Sequence, residues 1–252
     1  MNKSFLNHSN PLLTVMLQCE TPEIAIGRIR NANCLGAEAY GLQVESLKQE
    51  YHDPDTYKRI FAEMKNRPCY VTNYRMANNS GKTDEELAEG LMTLAENGAT
   101  LIDVMGDLFC KHPEELTDDA ASIKKQIELI DAIHQNGAEV LMSSHLYKFA
   151  PAERVLEIAF EQKRRGADII KIVTAANTME QQIENLRITN LLKQELGAPF
   201  LFLSGGKCSI HRRLGIKLGC CISLCVYEHD SRSTSSQPLL STMKLVRDII
   251  DF

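Results

Sequence analysis

Among the chain's eight cysteines there is no Cys-x-x-Cys pair. Zinc ribbons and small disulfide scaffolds space their cysteines by rule. Here Cys220-Cys221-Ile222-Ser223-Leu224-Cys225 sits in an apolar run, so buried free thiols are expected, as in a reducing cytoplasm. No apolar stretch approaches the roughly 20 residues of a membrane span. No run of Lys or Arg exceeds three residues and the formal charge is −5, which argues against a nucleic-acid or membrane partner. Met1 to Asn10 lacks the apolar core of an export signal and is expected to be a short flexible arm, residues 1–10, of a cytoplasmic protein. After the first apolar run, Gln18-Cys19-Glu20-Thr21 is no phosphate-cradling glycine turn, which weighs against an open dinucleotide-binding sheet.

What is present is periodic. Short apolar runs recur at Leu12 to Leu17, Glu38 to Gln43, Cys69 to Tyr74, Thr100 to Val104, Ala138 to Ser143, Asp168 to Val173, Pro199 to Ser204 and Cys220 to Cys225. Amphipathic segments lie between them and open on caps such as Thr21-Pro22, Asp53-Pro54, Thr83-Asp84-Glu85-Glu86, Thr117-Asp118 and Asn177-Thr178. A repeated phrase, as in Asn97-Gly98-Ala99 and Arg165-Gly166-Ala167, stops a helix just before each of several runs. Eight such units in 252 residues, with no linker or composition shift, predict an α/β fold: a single (β/α)8 TIM barrel spanning 1–252.

Function in such a barrel sits at the C-terminal strand ends. The polar residues there are Gln43, Arg75, Asp103, His145, Lys171, Ser204 and the Ser/Thr/Gln segment after the eighth run. Lys171 interrupts Asp168-Ile169-Ile170-Lys171-Ile172-Val173, a run expected to be buried on both faces. Burial disfavours a charged amine, and the neutral amine is the nucleophile that makes an iminium from a ketone. A lysine that pairs with an acid, or reaches out to the barrel mouth, is the alternative. His145, at the end of the neighbouring run, is the group that can move protons near neutral pH. With no third ligand beside it, no metal and no cofactor is expected. After Gly205-Gly206, Arg213 is a cation suited to an anionic ligand, while Lys207 and Arg212 read as a solvated basic face. Ser233 to Gln237 reads as a loop or a lid.

These pieces together resemble the type I 3-dehydroquinate dehydratases over nearly the whole chain. The resemblance rests on Arg75, Ser143-Ser144-His145, Asp168 to Ile172, Ser204-Gly205-Gly206-Lys207 leading to Arg213-Leu214, and Ser233 to Gln237. It implies a lyase of the shikimate route to aromatic amino acids, in which Lys171 forms the imine and His145 takes the α-proton and returns one to the leaving hydroxyl. Arg213, Ser233 and Gln237 would hold the carboxylate and ring oxygens of a keto-acid substrate, Arg75 the ring hydroxyls, and the chain would pair as a homodimer. Gly41-Leu42-Gln43 stands where the family carries Glu-x-Arg, and Asn79 where it carries the glutamate that orients the histidine. Gln43 and Asn79 are therefore the substrate-side substitutes, His145 is expected to lack an acid partner, and Asp103 and Glu45 are the acids that could replace the lost groups. A class I aldolase, or a ligand-binding paralogue without catalysis, remains open at this point.

Overall fold

The computed structural model describes residues 3–233 and 236–250. The apolar runs form eight strands: β1 (Leu12–Leu17), β2 (Ala39–Gln43), β3 (Cys69–Thr72), β4 (Leu101–Met105), β5 (Glu139–His145), β6 (Ile169–Ala175), β7 (Phe200–Gly205) and β8 (Ile222–Cys225). They pair in parallel in the order β7-β6-β5-β4-β3-β2-β1-β8. Where the ring comes round on itself, the Cys221 amide donates to the Phe200 carbonyl at 2.9 Å. The result is a nearly closed single (β/α)8 barrel, as the repeat predicts.

The connecting helices are α1 (Pro22–Cys34), α2 (Pro54–Glu63), α3 (Asp84–Glu96), α4 (Ala120–Gln135), α5 (Ala152–Arg164), α6 (Met179–Glu195), the single turn α7 (His211–Leu214), and α8 (Leu240–Ile249). Thr21, Asp53, Thr83 and Thr178 cap helices as expected, Thr83 in a full capping box with Glu86. The start of α4 differs. Its cap is Asp119, because Thr117 is held by the Gly106 carbonyl and cannot begin a helix.

Side chains alternate along each strand. The outward set, including Leu13, Val15, Leu17, Ile102, Val104, Val140 and Met142, packs under the helices in one core cluster. The inward positions on three adjacent strands are Leu101, Asp103 and Met105; Leu141, Ser143 and His145; and Ile169, Lys171 and Val173, with register setting Asp103, Leu141 and Ile169 on one level and Met105, Ser143 and Lys171 on the next. The inner face is thus apolar at its base and polar towards the C-terminal mouth. Several strand ends depart from expectation by one or two residues. β5 and β6 run on to His145 and Ala175, β4 and β7 by one residue each, and β3 stops at Thr72, because the Glu45 carboxylate takes the Thr72 hydroxyl and the Tyr74 amide.

The expected flexible arm is partly held in place. Phe5 is only 2% exposed and its amide donates to the Glu139 carboxylate. All eight cysteines are free, and four are buried, but Cys34 and Cys110 are exposed, one at a helix end and one in the β4–α4 loop. Among the described residues no helix is long and apolar enough to cross a membrane.

Candidate active site

The Lys171 side chain points into the barrel and is 4% exposed as a residue. Its Nζ donates to the Tyr74 hydroxyl (2.6 Å), the Tyr70 hydroxyl (2.9 Å) and Asp103 Oδ2 (3.1 Å). Both tyrosine hydroxyls donate in turn to that same Asp103 oxygen, Tyr74 at 2.5 Å. Ser143 Oγ donates to the other carboxylate oxygen at 2.5 Å. Pairing with an acid, the alternative to catalysis, is therefore real, but it does not close the site: Lys171 and Tyr74 both line an open cavity of about 630 Å³. Burial, with the charge of Asp103 added, pushes both tyrosines well above their ordinary pKa, so both stay protonated at neutral pH.

His145 lines the same cavity. Its Nδ1 is 2.6 Å from Glu115 Oε2, and its own amide donates to that oxygen at 3.1 Å. The expectation that His145 lacks an acid partner is thus overturned. The carboxylate comes from the loop between β4 and α4, not from the loop after β3. Asn79, the residue at the expected position, is fully buried and donates to Asn73 Oδ1 and the Tyr74 carbonyl. It braces the backbone beneath Tyr74 and does not line the cavity.

Several contacts fix Glu115. Ser144 Oγ donates to its carbonyl at 2.7 Å, and Gln162 holds Ser144. The buried Arg165 guanidinium binds the Gly106 and Thr117 carbonyls on either side of the loop, and Gln126 binds Gly106 and Leu108. A Cβ at Gly106 would lie 2.5 Å from the Glu115 carbonyl oxygen, so only glycine admits this close approach. Glu115 itself has φ +47 and Tyr147, stacked on His145, has φ +54. Residues other than glycine avoid this left-handed region, and such strain persists only where surroundings enforce it.

The remaining expected residues divide. Gln43, Arg75 and Gln237 line the cavity. Arg75 is not a free grip: Asp84 takes it with two bonds of 2.6 and 2.7 Å, and Asp107 with one of 2.7 Å. Burial opposes its charge, yet these two acids raise its pKa overall. Arg213 does not line the cavity; its guanidinium donates to Ser209 on the same turn. Its neighbour Arg212 does, with Nε on the Ser204 carbonyl. Burial lowers Arg212 to about 10, and among the described residues no carboxylate pairs with it. The α7 cation that faces the cavity is therefore one residue earlier than expected, because α7 is a single turn and its next position points away. Ser233 folds back on Asp230, which is paired with Arg28. Thr234 and Ser235, the middle of the expected lid, lie outside the described residues.

Of the two acids expected to act as replacements, Asp103 serves Lys171. Glu45 is fully buried behind Thr72 and Tyr74, where desolvation raises it to about 7. A Cβ at Gly41 would meet Met16 Sδ at 2.3 Å and the Tyr70 ring at 3.0 Å. The space of the expected glutamate is thus filled by Met16 and Tyr70, and Met16, Leu203 and Leu224 give the cavity an apolar side. Glu115, Tyr70, Tyr74, Asp107 and Arg212 are the site residues that sequence reasoning missed. Of these, Tyr70 left the clearest signal: a tyrosine inside an all-buried strand needs a partner for its hydroxyl.

The family model described as Type I 3-dehydroquinase matches residues 13–251. A curated 3-dehydroquinate dehydratase of Alkaliphilus oremlandii is 37% identical over 87 residues, 33% of this chain and 34% of that one. One from Geobacillus thermodenitrificans is 28% identical over 118 residues, 46% of this chain and 44% of that one. The chain's aligned stretches thus span under half the length of either curated relative. Among solved structures, 3-dehydroquinate dehydratase from Geobacillus kaustophilus superposes with a TM-score of 0.79 at 16% identity, over 96% of this chain and 91% of that one. The enzyme from Aquifex aeolicus gives 0.71 at 19% identity, over 94% and 97%. At such identities the structural matches establish the fold alone.

Proposed function

The chain belongs to the type I 3-dehydroquinase family, and on that premise we propose that it is a Schiff-base dehydratase acting on 3-dehydroquinate or a related β-hydroxy ketone carboxylate. The observation that carries this reading is the meeting of Lys171 and His145, each with its own carboxylate, on one cavity. In this reading Lys171 Nζ adds to the ketone and water leaves, giving an iminium. The iminium draws electrons from the adjacent carbon. His145 takes the α-proton, and an enamine forms. The β C–O bond then breaks, and the hydroxyl departs as water with the proton from His145. Glu115 steadies the imidazolium between these two transfers. Arg212 would hold the substrate carboxylate, with Gln237 and Gln43 reaching its oxygens.

The filled space at Gly41 and the engaged Arg75 support a substrate with fewer hydroxyls to recognise than the resemblance implies. A cytoplasmic homodimer belongs to the same reading. Borohydride reduction in the presence of 3-dehydroquinate is expected to leave a covalent adduct on the peptide that contains Lys171. An adduct on another lysine would move the nucleophile. No adduct with 3-dehydroquinate or smaller β-hydroxy keto acids would favour a ligand-binding paralogue.

A further inference from the structure

We propose that Tyr74, backed by Asp103, is the acid–base relay that makes and hydrolyses the imine at Lys171, separate from the His145–Glu115 pair that serves elimination. The proposal rests on the reading of Lys171 as the imine-forming residue. Its basis is a directional chain of hydrogen bonds. Lys171 Nζ donates to the Tyr74 hydroxyl at 2.6 Å, and that hydroxyl donates to Asp103 Oδ2 at 2.5 Å. The Tyr70 hydroxyl makes the same two bonds and Tyr70 also lines the cavity, but Tyr70 has no exposed surface, whereas Tyr74 is half-buried. Of the two, Tyr74 is the one that joins contact with the reacting nitrogen to a surface open to the cavity. His145 has its Nδ1 engaged by Glu115 and meets Tyr74 ring edge to face, with centroids 5.5 Å apart. The two proton-moving groups thus stand side by side, each with its own carboxylate.

The relay balances without any added reagent. Lys171 begins as an ammonium and Asp103 as a carboxylate. One ammonium proton passes to the Tyr74 oxygen as the Tyr74 proton passes to Asp103, leaving a neutral amine and a neutral acid. The amine attacks the ketone carbon, a C–N bond forms, and the C=O electron pair moves to oxygen. That oxygen takes the Tyr74 proton, and the nitrogen replaces it, giving the carbinolamine. The carbinolamine hydroxyl then takes the Tyr74 proton again, Asp103 refills Tyr74, and the C–O bond breaks to release water as the nitrogen lone pair forms C=N. Both hydrogens of the water come from the ammonium, the third stays on the iminium, and Tyr74 and Asp103 end as they began. Because Tyr74 is held protonated, it serves as a conduit and not as a standing phenolate base.

The test follows exchange of the ketone oxygen of 3-dehydroquinate with 18O-labelled water, above the uncatalysed background, in a His145→Ala protein. Elimination is blocked there, so exchange reads imine formation and hydrolysis alone. Exchange is expected to persist in His145→Ala and to fall about 100-fold or more when Tyr74→Phe is added, the scale of general acid–base catalysis. Loss of exchange in His145→Ala alone would show that the histidine serves both steps, and an unchanged rate on adding Tyr74→Phe would remove Tyr74; either result overturns the proposal. Absence of both exchange and borohydride trapping in the unaltered protein would instead bring down the Lys171 reading itself, and the relay with it. If Tyr74→Phe does not fold, 3-fluorotyrosine at position 74 keeps the hydroxyl while making it more acidic. The rate of exchange is then expected to change severalfold with the acidity of that hydroxyl, and an unchanged rate overturns the relay.

Discussion

Replacing Glu115 with Gln keeps the shape of the side chain beside His145 and removes only its charge. The contact is short, 2.6 Å from Nδ1 to Oε2, and the two side chains are 14% and 24% exposed, so water screens it only in part. A hydrogen bond to a charged group contributes about 1.5–3 kcal/mol, against about 1 kcal/mol for a neutral one. The difference, about 0.5–2 kcal/mol, acts only when the imidazole carries the α-proton. By transition-state arithmetic it corresponds to a fall in kcat of roughly 2- to 30-fold. Because Glu115 does not touch Lys171 or Arg212, KM and the borohydride-trapped fraction at Lys171 are expected to stay within about twofold. The assay is steady-state dehydration, followed by the absorbance of the conjugated ketone product, with trapping in parallel. An unchanged kcat would refute the reasoning, because the carboxylate would then have no part in proton transfer. A joint loss of kcat and trapping would refute it differently, by making Glu115 a structural prop for the whole mouth.

Other substitutions probe the grip, the packing and the buried acids. Arg212→Gln is expected to raise KM for the keto acid about 10- to 100-fold, the scale of one lost charge-assisted bond, while Arg213→Gln changes it less than about threefold; equal effects in steady-state kinetics would return the role to Arg213. Gly41→Ala is expected to cost about 1–3 kcal/mol in urea unfolding through overpacking against Met16, and most of that cost should vanish in a Met16→Ala background; an equal cost in both backgrounds would place the strain elsewhere. Glu45, raised by burial from 4.5 to about 7, binds more protons folded than unfolded between those values, so its contribution to stability is complete below about pH 4.5 and is lost as pH rises through 7. The gain in unfolding free energy from Glu45→Gln should therefore grow by as much as about 3 kcal/mol between pH 4.5 and 8, and a gain independent of pH would contradict the raised pKa.

The barrel was legible because its evidence is distributed. Eight apolar runs, capped helix starts and repeated glycine stops each add a little, and no single residue decides. Lys171 was legible for a different reason: a lysine amid isoleucines contradicts its surroundings, and such contradictions mark sites. Glu115 could not be found in the same way. It lies in the irregular stretch Cys110 to Asp119, where no periodicity says which side chain turns inward, and its nearness to His145 depends on Arg165, Gln126 and Ser144 meeting across three separate elements. Arg212 and Arg213 show the limit most sharply. The run Ser209-Ile210-His211-Arg212-Arg213 marks a basic turn, but a one-turn helix has no amphipathic period from which to choose between neighbours.

The relocation of the histidine's acid has a chemical logic. What proton transfer requires is a carboxylate within hydrogen-bond reach of Nδ1, and it is indifferent to the strand from which the carboxylate comes. In this barrel Asn79 has been drawn under Tyr74, where it ties the backbone, and the same region supplies the two tyrosines that hold Lys171. A glutamate at 79 would put a second unpaired acid in a region that already buries Glu45, whose own carboxyl is pushed up to about 7. Placing the acid at 115 avoids that conflict, since Glu115 is partly exposed and has His145 as its partner. On this account Asn79→Glu is a packing and charge error and no improvement to the histidine, whereas the loop that carries Glu115 is where changes should alter proton transfer.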